Sequence, residues 1–176
     1  LYEAAVLENA DIAVSGHQEF TNGRVTKTKM HPLAGTTIRT KQEIESIRKN
    51  LYGHSTEDDV VEAFPMAVWI ALYRRKMIED NNLLFMEILS EDTIFNLSAY
   101  KCAKTITFID RTDYCYRKEG QPSITQSFSD NKLLRYQKFL MTLSITLTFL
   151  VYMLILGPTS EDGLIGAYFR NHAGSF

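Results

Sequence analysis

Hydrophobic positions change rhythm several times along this chain, and each rhythm predicts an element. Leu1-Tyr2-Glu3-Ala4-Ala5-Val6-Leu7-Glu8-Asn9 has a helix-forming composition, with Asn9 as a C-terminal cap. Asp11-Ile12-Ala13-Val14-Ser15-Gly16 carries a short apolar run and predicts a buried strand. Asn22-Gly23 is a hairpin turn signal, which would pair His17–Phe20 with Arg24–Lys27. Met30–Thr37, with Pro32 and Gly35, predicts loop. Thr40-Lys41-Gln42-Glu43 matches a capping box; Ile44, Ile47 and Leu51 continue it at helical spacing, and Gly53 ends it.

Farther on, Val68–Arg75 starts apolar and ends basic, and Lys76–Asn82 predicts a short helix stopped by the Asn pair. Leu83–Leu89 is an apolar loop or strand, Thr93–Ala103 a helix, and Thr105–Asp110 and Tyr114–Arg117 strands. Ser55–Glu62 and Gly120–Ser129 are polar connections. Phe139–Leu156 then runs 18 residues without a charge. Thr142, Ser144, Thr146 and Thr148 fall on alternate positions inside it, so a two-residue period competes with a helical one. The run suits membrane contact, since it just reaches the lower limit for spanning a bilayer, or a buried helix or strand. Arg135 and Lys138 before it, and Glu161 and Asp162 after it, would put its start on the cytoplasmic side.

Composition narrows the class. The chain has 176 residues, 45% hydrophobic and 23% charged, which suits one globular domain or a large piece of one. A net charge of −2 without a dense Lys/Arg block supplies no basic field for nucleic acid. Cys102 and Cys115 form no CxxC motif, so reduced cytosolic thiols are expected rather than a zinc site or a disulfide framework. His17, His31, His54 and His172 lack metal-ligand spacing and are expected to be ordinary polar or loop residues. Glu57-Asp58-Asp59 is expected to be a solvated acidic turn. The first nine residues are polar and helix-like rather than a secretory signal, and Leu1 is not Met. The chain is therefore expected to begin in mid-domain.

The chemistry centres on Ser90-Glu91-Asp92-Thr93-Ile94-Phe95-Asn96-Leu97, where two carboxylates stand at a helix start. Taken alone, Ser90 as N-cap with two acids in the first turn simply complements the helix dipole. Upstream stand Trp69-Ile70-Ala71-Leu72-Tyr73-Arg74-Arg75 and Ile78-Glu79-Asp80-Asn81-Asn82-Leu83; downstream stand Phe108-Ile109-Asp110, Tyr114-Cys115-Tyr116-Arg117 and Ser123-Ile124. From Leu1 to about Gln137 this ordered set resembles the second half of a family 2 glycosyltransferase of the GT-A fold. Ile70 and Ala71 replace polar residues common beside the Trp in similar proteins.

The resemblance implies an α/β fold. It would be a partial GT-A, Rossmann-like nucleotide-diphospho-sugar transferase domain with a C-terminal apolar helical segment. Residues 1–130 would be the acceptor-side part, 131–157 the apolar segment and 158–176 a tail, without the N-terminal nucleotide-binding half. It implies transfer of a sugar from a nucleoside diphosphate sugar to a saccharide or lipid-linked acceptor, by inversion, in bacterial surface polysaccharide synthesis. Asp92 would be the catalytic base, with Glu91 beside it for acceptor binding or orientation; Trp69, Arg74, Tyr116 and Arg117 would contact substrates. Core packing is the competing role for Trp69 and Tyr116, and a carboxylate pairing for Arg74. A divalent cation, Mn²⁺ or Mg²⁺, would serve the complete enzyme, with no metal ligands in this chain. The setting would be the cytoplasm, at the inner face of the membrane, with peripheral contact through 139–156. The alternative is a non-catalytic fragment or pseudoenzyme that binds a partner or a membrane.

Overall fold

The computed structural model describes residues 1–52, 64–118 and 130–156. Gly53, His54, Ser55–Glu62, Gly120–Ser129 and His172 lie outside the described residues. The chain divides into two compact units, Leu1–Met86 with Asp92–Ser127, and Glu87–Glu91 with Phe128–Phe176.

In the first unit, α1 (Tyr2–Leu7) is stopped by Asn9, whose φ of 48° is the left-handed turn that Asn tolerates. β1 (Ile12–Val14) follows and is buried on both faces. It pairs in parallel with β6 (Ile106–Phe108), also buried throughout, and antiparallel with β5 (Ala71–Tyr73). β4 (Thr36–Ile38) closes the other edge against β6, so the sheet order is β4-β6-β1-β5. An unbroken apolar run such as Ile12-Ala13-Val14 is what a doubly covered parallel strand requires.

β4 corrects the loop expected over Met30–Thr37. Pro32 and Gly35 do stop regular structure, but Thr36–Ile38 recovers a ladder because β6 offers it an open edge. The Thr37 and Thr107 hydroxyls also meet at 2.9 Å across the pair.

The second sheet is β3-β2-β7. β2 (His17–Thr21) and β3 (Arg24–Lys29) form the hairpin that Asn22-Gly23 announces, with φ of 51° and 73° at the turn. Positive φ at both central residues is the type I′ requirement. β7 (Tyr114–Arg117) lies parallel to β2.

The two sheets are thus joined by one bent pair of chains, β1 into β2 and β6 into β7. At the bend the Gly16 N–H donates to the Arg111 carbonyl at 2.8 Å, and the Ile109 N–H to the Val14 carbonyl at 2.8 Å.

Helices cover the first sheet. In α2 (Lys41–Lys49) the Thr40 hydroxyl oxygen accepts the Glu43 N–H at 3.3 Å, the first half of the expected capping box, while the Glu43 carboxylate accepts from the Thr40 hydroxyl rather than from its backbone N–H. Ile44, Ile47 and Leu51 fall on its buried face. α3 (Arg75–Asp80) is short and ends at Asn81. α4 (Glu91–Cys102) buries Thr93, Ile94, Phe95, Asn96, Leu97, Ala99 and Tyr100, so it is covered on nearly every side. Ser90, just before it, has φ of 57°, which is not the extended backbone of the N-cap expected from its sequence. Leu83–Leu89 forms no strand.

The second unit contains α5 (Asp130–Leu156), a 27-residue helix that takes in the whole charge-free run. The alternating hydroxyls do not impose a strand, and two of them bond to the preceding turn of the helix. The Thr142 hydroxyl donates to the Lys138 carbonyl at 2.9 Å and Thr146 to the Thr142 carbonyl at 2.8 Å. Among the described residues no helix is long and apolar enough to cross a membrane.

Candidate functional site

A cleft of about 570 Å³ opens in the first unit where the hairpin sheet meets the segment leading into β5. β2, β3 and β7 supply Glu19, Lys29 and Tyr116, the bend supplies Ser15 and Gly16, and the 64–70 segment supplies Ala67 and Trp69. The volume is within the range of small-molecule sites.

Gly16 is obligatory at the bend. A Cβ there would stand 2.3 Å from the Lys29 carbonyl oxygen and 3.0 Å from the Met30 Cα, both backbone atoms. Gly16→Ala is expected to cost about 1–3 kcal/mol through forced backbone movement. Urea unfolding reads this directly, and an unchanged midpoint would show that the bend relaxes freely.

Trp69 is the aromatic centre of the cleft. Its ring stacks on Tyr116 with centroids 5.2 Å apart and planes 15° apart. Tyr114 lies 4.5 Å away, and His17 meets it edge-on at 5.0 Å.

α4 fixes the segment that carries this Trp. One Asp92 carboxylate oxygen accepts the Val68 N–H at 3.1 Å. The Asn96 amide donates to the Met66 carbonyl at 2.7 Å, and the Tyr73 hydroxyl donates to the Asn96 side-chain oxygen at 2.6 Å. Burial pushes the Tyr73 phenol well above its ordinary pKa, so it remains a donor at any physiological pH. Asp92 is half-buried. It is tied to a backbone amide between Ala67 and Trp69, both of which line the cleft.

Glu19 is the buried charge of the cleft. Lys118 hydrogen-bonds it at 2.9 Å, with Lys29 3.6 Å away, and the Lys118 contact holds its carboxyl below the usual range. His31 is also buried, stacked on Phe108 at 4.5 Å and edge-on to Phe64 at 5.0 Å. It is a core histidine beside the cleft rather than an ordinary loop residue. Among the described residues no group of three or more His, Cys, Asp or Glu could hold a metal ion.

No family model matches the chain. Over 129 residues it is 34% identical to the uncharacterized glycosyltransferase EpsJ of Bacillus subtilis strain 168, a match covering 72% of this chain and 34% of EpsJ. Over this stretch the chain is similar to a glycosyltransferase. It spans about a third of that relative's length. Among solved structures it is similar to S. aureus TarS 1–349, determined in complex with UDP-GlcNAc, with a TM-score of 0.51. That match has 16% identity and covers 73% of this chain and 32% of TarS. The likeness speaks for the fold, an α/β arrangement of the GT-A kind.

The residues singled out from sequence separate on this fold. Trp69 and Tyr116 line the cleft together, and Asp92 anchors the segment beneath Trp69. Glu91 opens α4 and is half-buried, but it falls in the second unit. Arg74 does not line the cleft. It forms an ion pair with Asp11 at 2.9 Å, although its Nε–H is not directed at the carboxylate, and it donates to Asn9 at 2.7 Å and the Ala10 carbonyl at 3.0 Å. It clasps the α1–β1 turn to the end of β5. Arg117 follows Tyr116 on β7, so strand alternation turns it to the other face of the sheet.

Sequence reasoning passed over Glu19, Lys27, Lys29 and Gly16. The available signal was the hairpin's two-residue period, which puts His17 with Glu19, and Lys27 with Lys29, on one face.

Proposed function

We propose that this protein transfers a sugar from a nucleoside diphosphate sugar to a saccharide or lipid-linked acceptor, with inversion, in bacterial surface polysaccharide synthesis. The observation that carries the reading is Asp92, a half-buried carboxylate at the start of α4, held beside an aromatic cleft in a chain similar to a glycosyltransferase. In the proposed step the acceptor hydroxyl attacks the anomeric carbon, the bond from that carbon to the diphosphate breaks, and the hydroxyl proton passes to Asp92. Fixing the carboxylate at a helix start sets its direction, which makes it a positioned rather than a diffusing base. Trp69 and Tyr116 present apolar ring surface to a sugar. A divalent cation, Mn²⁺ or Mg²⁺, supplies charge neutralisation for the leaving diphosphate. Among the described residues no cluster of His, Cys, Asp or Glu would hold it.

Release of nucleoside diphosphate from a panel of nucleotide sugars, with Mn²⁺ and candidate acceptors, tests the reading. Acceptor-dependent release by the full protein supports it, and a complete lack of turnover across the panel favours a non-catalytic binding role. The same reading places the protein in the cytoplasm at the inner membrane face, with residues 139–156 of α5 in peripheral contact, because that run carries no charge. Flotation with lipid vesicles, with and without residues 134–156, is expected to show recovery only when the run is present. Equal recovery would reject the contact.

A further inference from the structure

The segment that carries Trp69 into the cleft is pinned from outside. Its regular structure is one 3-10 turn at Val68–Ile70, closed by a long 3.4 Å bond from the Ile70 N–H to the Ala67 carbonyl. At its far end the Ile70 carbonyl accepts the Ser15 N–H at 3.0 Å. The other anchors come from α4. Asp92 accepts the Val68 N–H at 3.1 Å, the Thr93 hydroxyl donates to the Met66 sulfur at 3.6 Å, and the Asn96 amide donates to the Met66 carbonyl at 2.7 Å. Asp92 and Asn96 stand four residues apart, so they lie one above the other on the same helix face. One rigid element thus holds both the carboxylate and the backbone that precedes the Trp.

Asn96 is 4% exposed and uses both ends of its amide, because its oxygen accepts the Tyr73 hydroxyl at 2.6 Å. That donor fixes which way the amide points. Turned over, the Asn96 oxygen would face the Met66 carbonyl oxygen, acceptor against acceptor. Tyr73 is itself fixed: it pairs with Ile12 of β1, and its ring meets Phe95 of α4 edge-on at 5.3 Å. The alignment is therefore referred back to the central sheet.

We propose that Asn96, oriented by Tyr73, is a positioning residue for transfer: it holds the Trp69 segment in fixed relation to the Asp92 carboxylate, so that acceptor ring and base are aligned. This rests on reading Asp92 as the base and the cleft as the acceptor site. Neither Asn96 nor Tyr73 touches substrate, so alignment has to be read apart from stability.

Two variants do this. Tyr73→Phe removes the hydroxyl and keeps the ring, and Asn96→Ala removes both amide bonds. Turnover of the full protein is measured with Mn²⁺ below the melting temperature of each variant, varying nucleotide sugar and acceptor separately. Asn96→Ala should lower kcat about 10–100-fold and raise the acceptor KM, and Tyr73→Phe should do so about three- to tenfold, as misalignment by a fraction of an ångström does. The nucleotide-sugar KM should stay within about twofold. On an Asp92→Asn background the Asn96→Ala loss should shrink to about twofold, because a residue acting through the base has little left to align. Trp69 is the sole tryptophan, and acrylamide quenching of its emission should rise in Asn96→Ala without any turnover being needed. Equal losses on both backgrounds, donor and acceptor KM rising together, or unchanged quenching would show that Asn96 only supports the fold, and would overturn the proposal. Should Asn96→Ala fail to fold, Tyr73→Phe carries the same comparison. Wild-type turnover that both variants retain overturns this proposal alone, whereas a wild type without turnover on any nucleotide sugar overturns the transferase reading and the proposal with it.

Discussion

Asp92→Asn is expected to lower transfer by about 10²–10⁴-fold while leaving nucleotide binding and thermal stability near wild type. The separation follows from the geometry. Asp92 contributes an acceptor oxygen to the Val68 N–H at 3.1 Å, and the Asn side-chain oxygen can accept the same bond. The tether to the Trp69 segment therefore survives, and what is lost is the ability to take a proton. Asp92→Ala differs, because it also removes the tether; it should cost a further ~1–2 kcal/mol of stability and disturb Trp69 emission. Steady-state turnover together with calorimetric binding of the nucleoside diphosphate gives the reading. Wild-type turnover by Asp92→Asn would reduce Asp92 to a structural anchor and remove the base from the proposed mechanism.

That pairing also shows how far the sequence could be read. The local devices were visible. Asn22-Gly23 specifies a type I′ hairpin, Thr40 and Glu43 specify a helix start, and Ile12-Ala13-Val14 specifies a doubly buried strand. Each depends on neighbours within a few residues.

What could not be read was long-range. β7 joins β2 across almost the whole described unit, and only that pairing puts Tyr116 beside Glu19 and Lys27. Arg74 shows the same limit from the other side. Its charge suggests a phosphate ligand, and only the fold reveals that Asp11, Asn9 and the Ala10 carbonyl use it. α4 has polar residues on buried positions, and nothing local explains Asn96. Its partners, Tyr73 and the Met66 carbonyl, come from the segment that it immobilises. The hydroxyls of α5 misled for the opposite reason: a purely local bond to the preceding turn lets a strand-like pattern sit in a helix.

Acid should destabilise the first unit through His31. The ring is 3% exposed, and its Nδ1 accepts the Leu33 N–H at 3.1 Å, which leaves the proton on Nε2. Nε2 is itself buried without a partner among the described residues. Protonating Nδ1 would break the Leu33 bond and place a charge between Phe108 and Phe64. Burial accordingly lowers the pKa from 6.5 to about 4. A depressed histidine favours the fold while neutral. Above about pH 6.5 neither state is charged at this site, and the contribution is level. Between about pH 6.5 and 4 the unfolded chain binds the proton and the folded chain does not, so stability falls as pH falls. A shift of this size corresponds to about 3 kcal/mol over that window. Carboxylates also titrate at its lower end, so the informative quantity is the difference between wild type and His31→Phe. Urea midpoints at steps from pH 7.5 to 4.5 should fall more steeply for wild type than for the variant. Parallel curves would mean that His31 charges freely in the folded protein and that its burial is relieved by local opening.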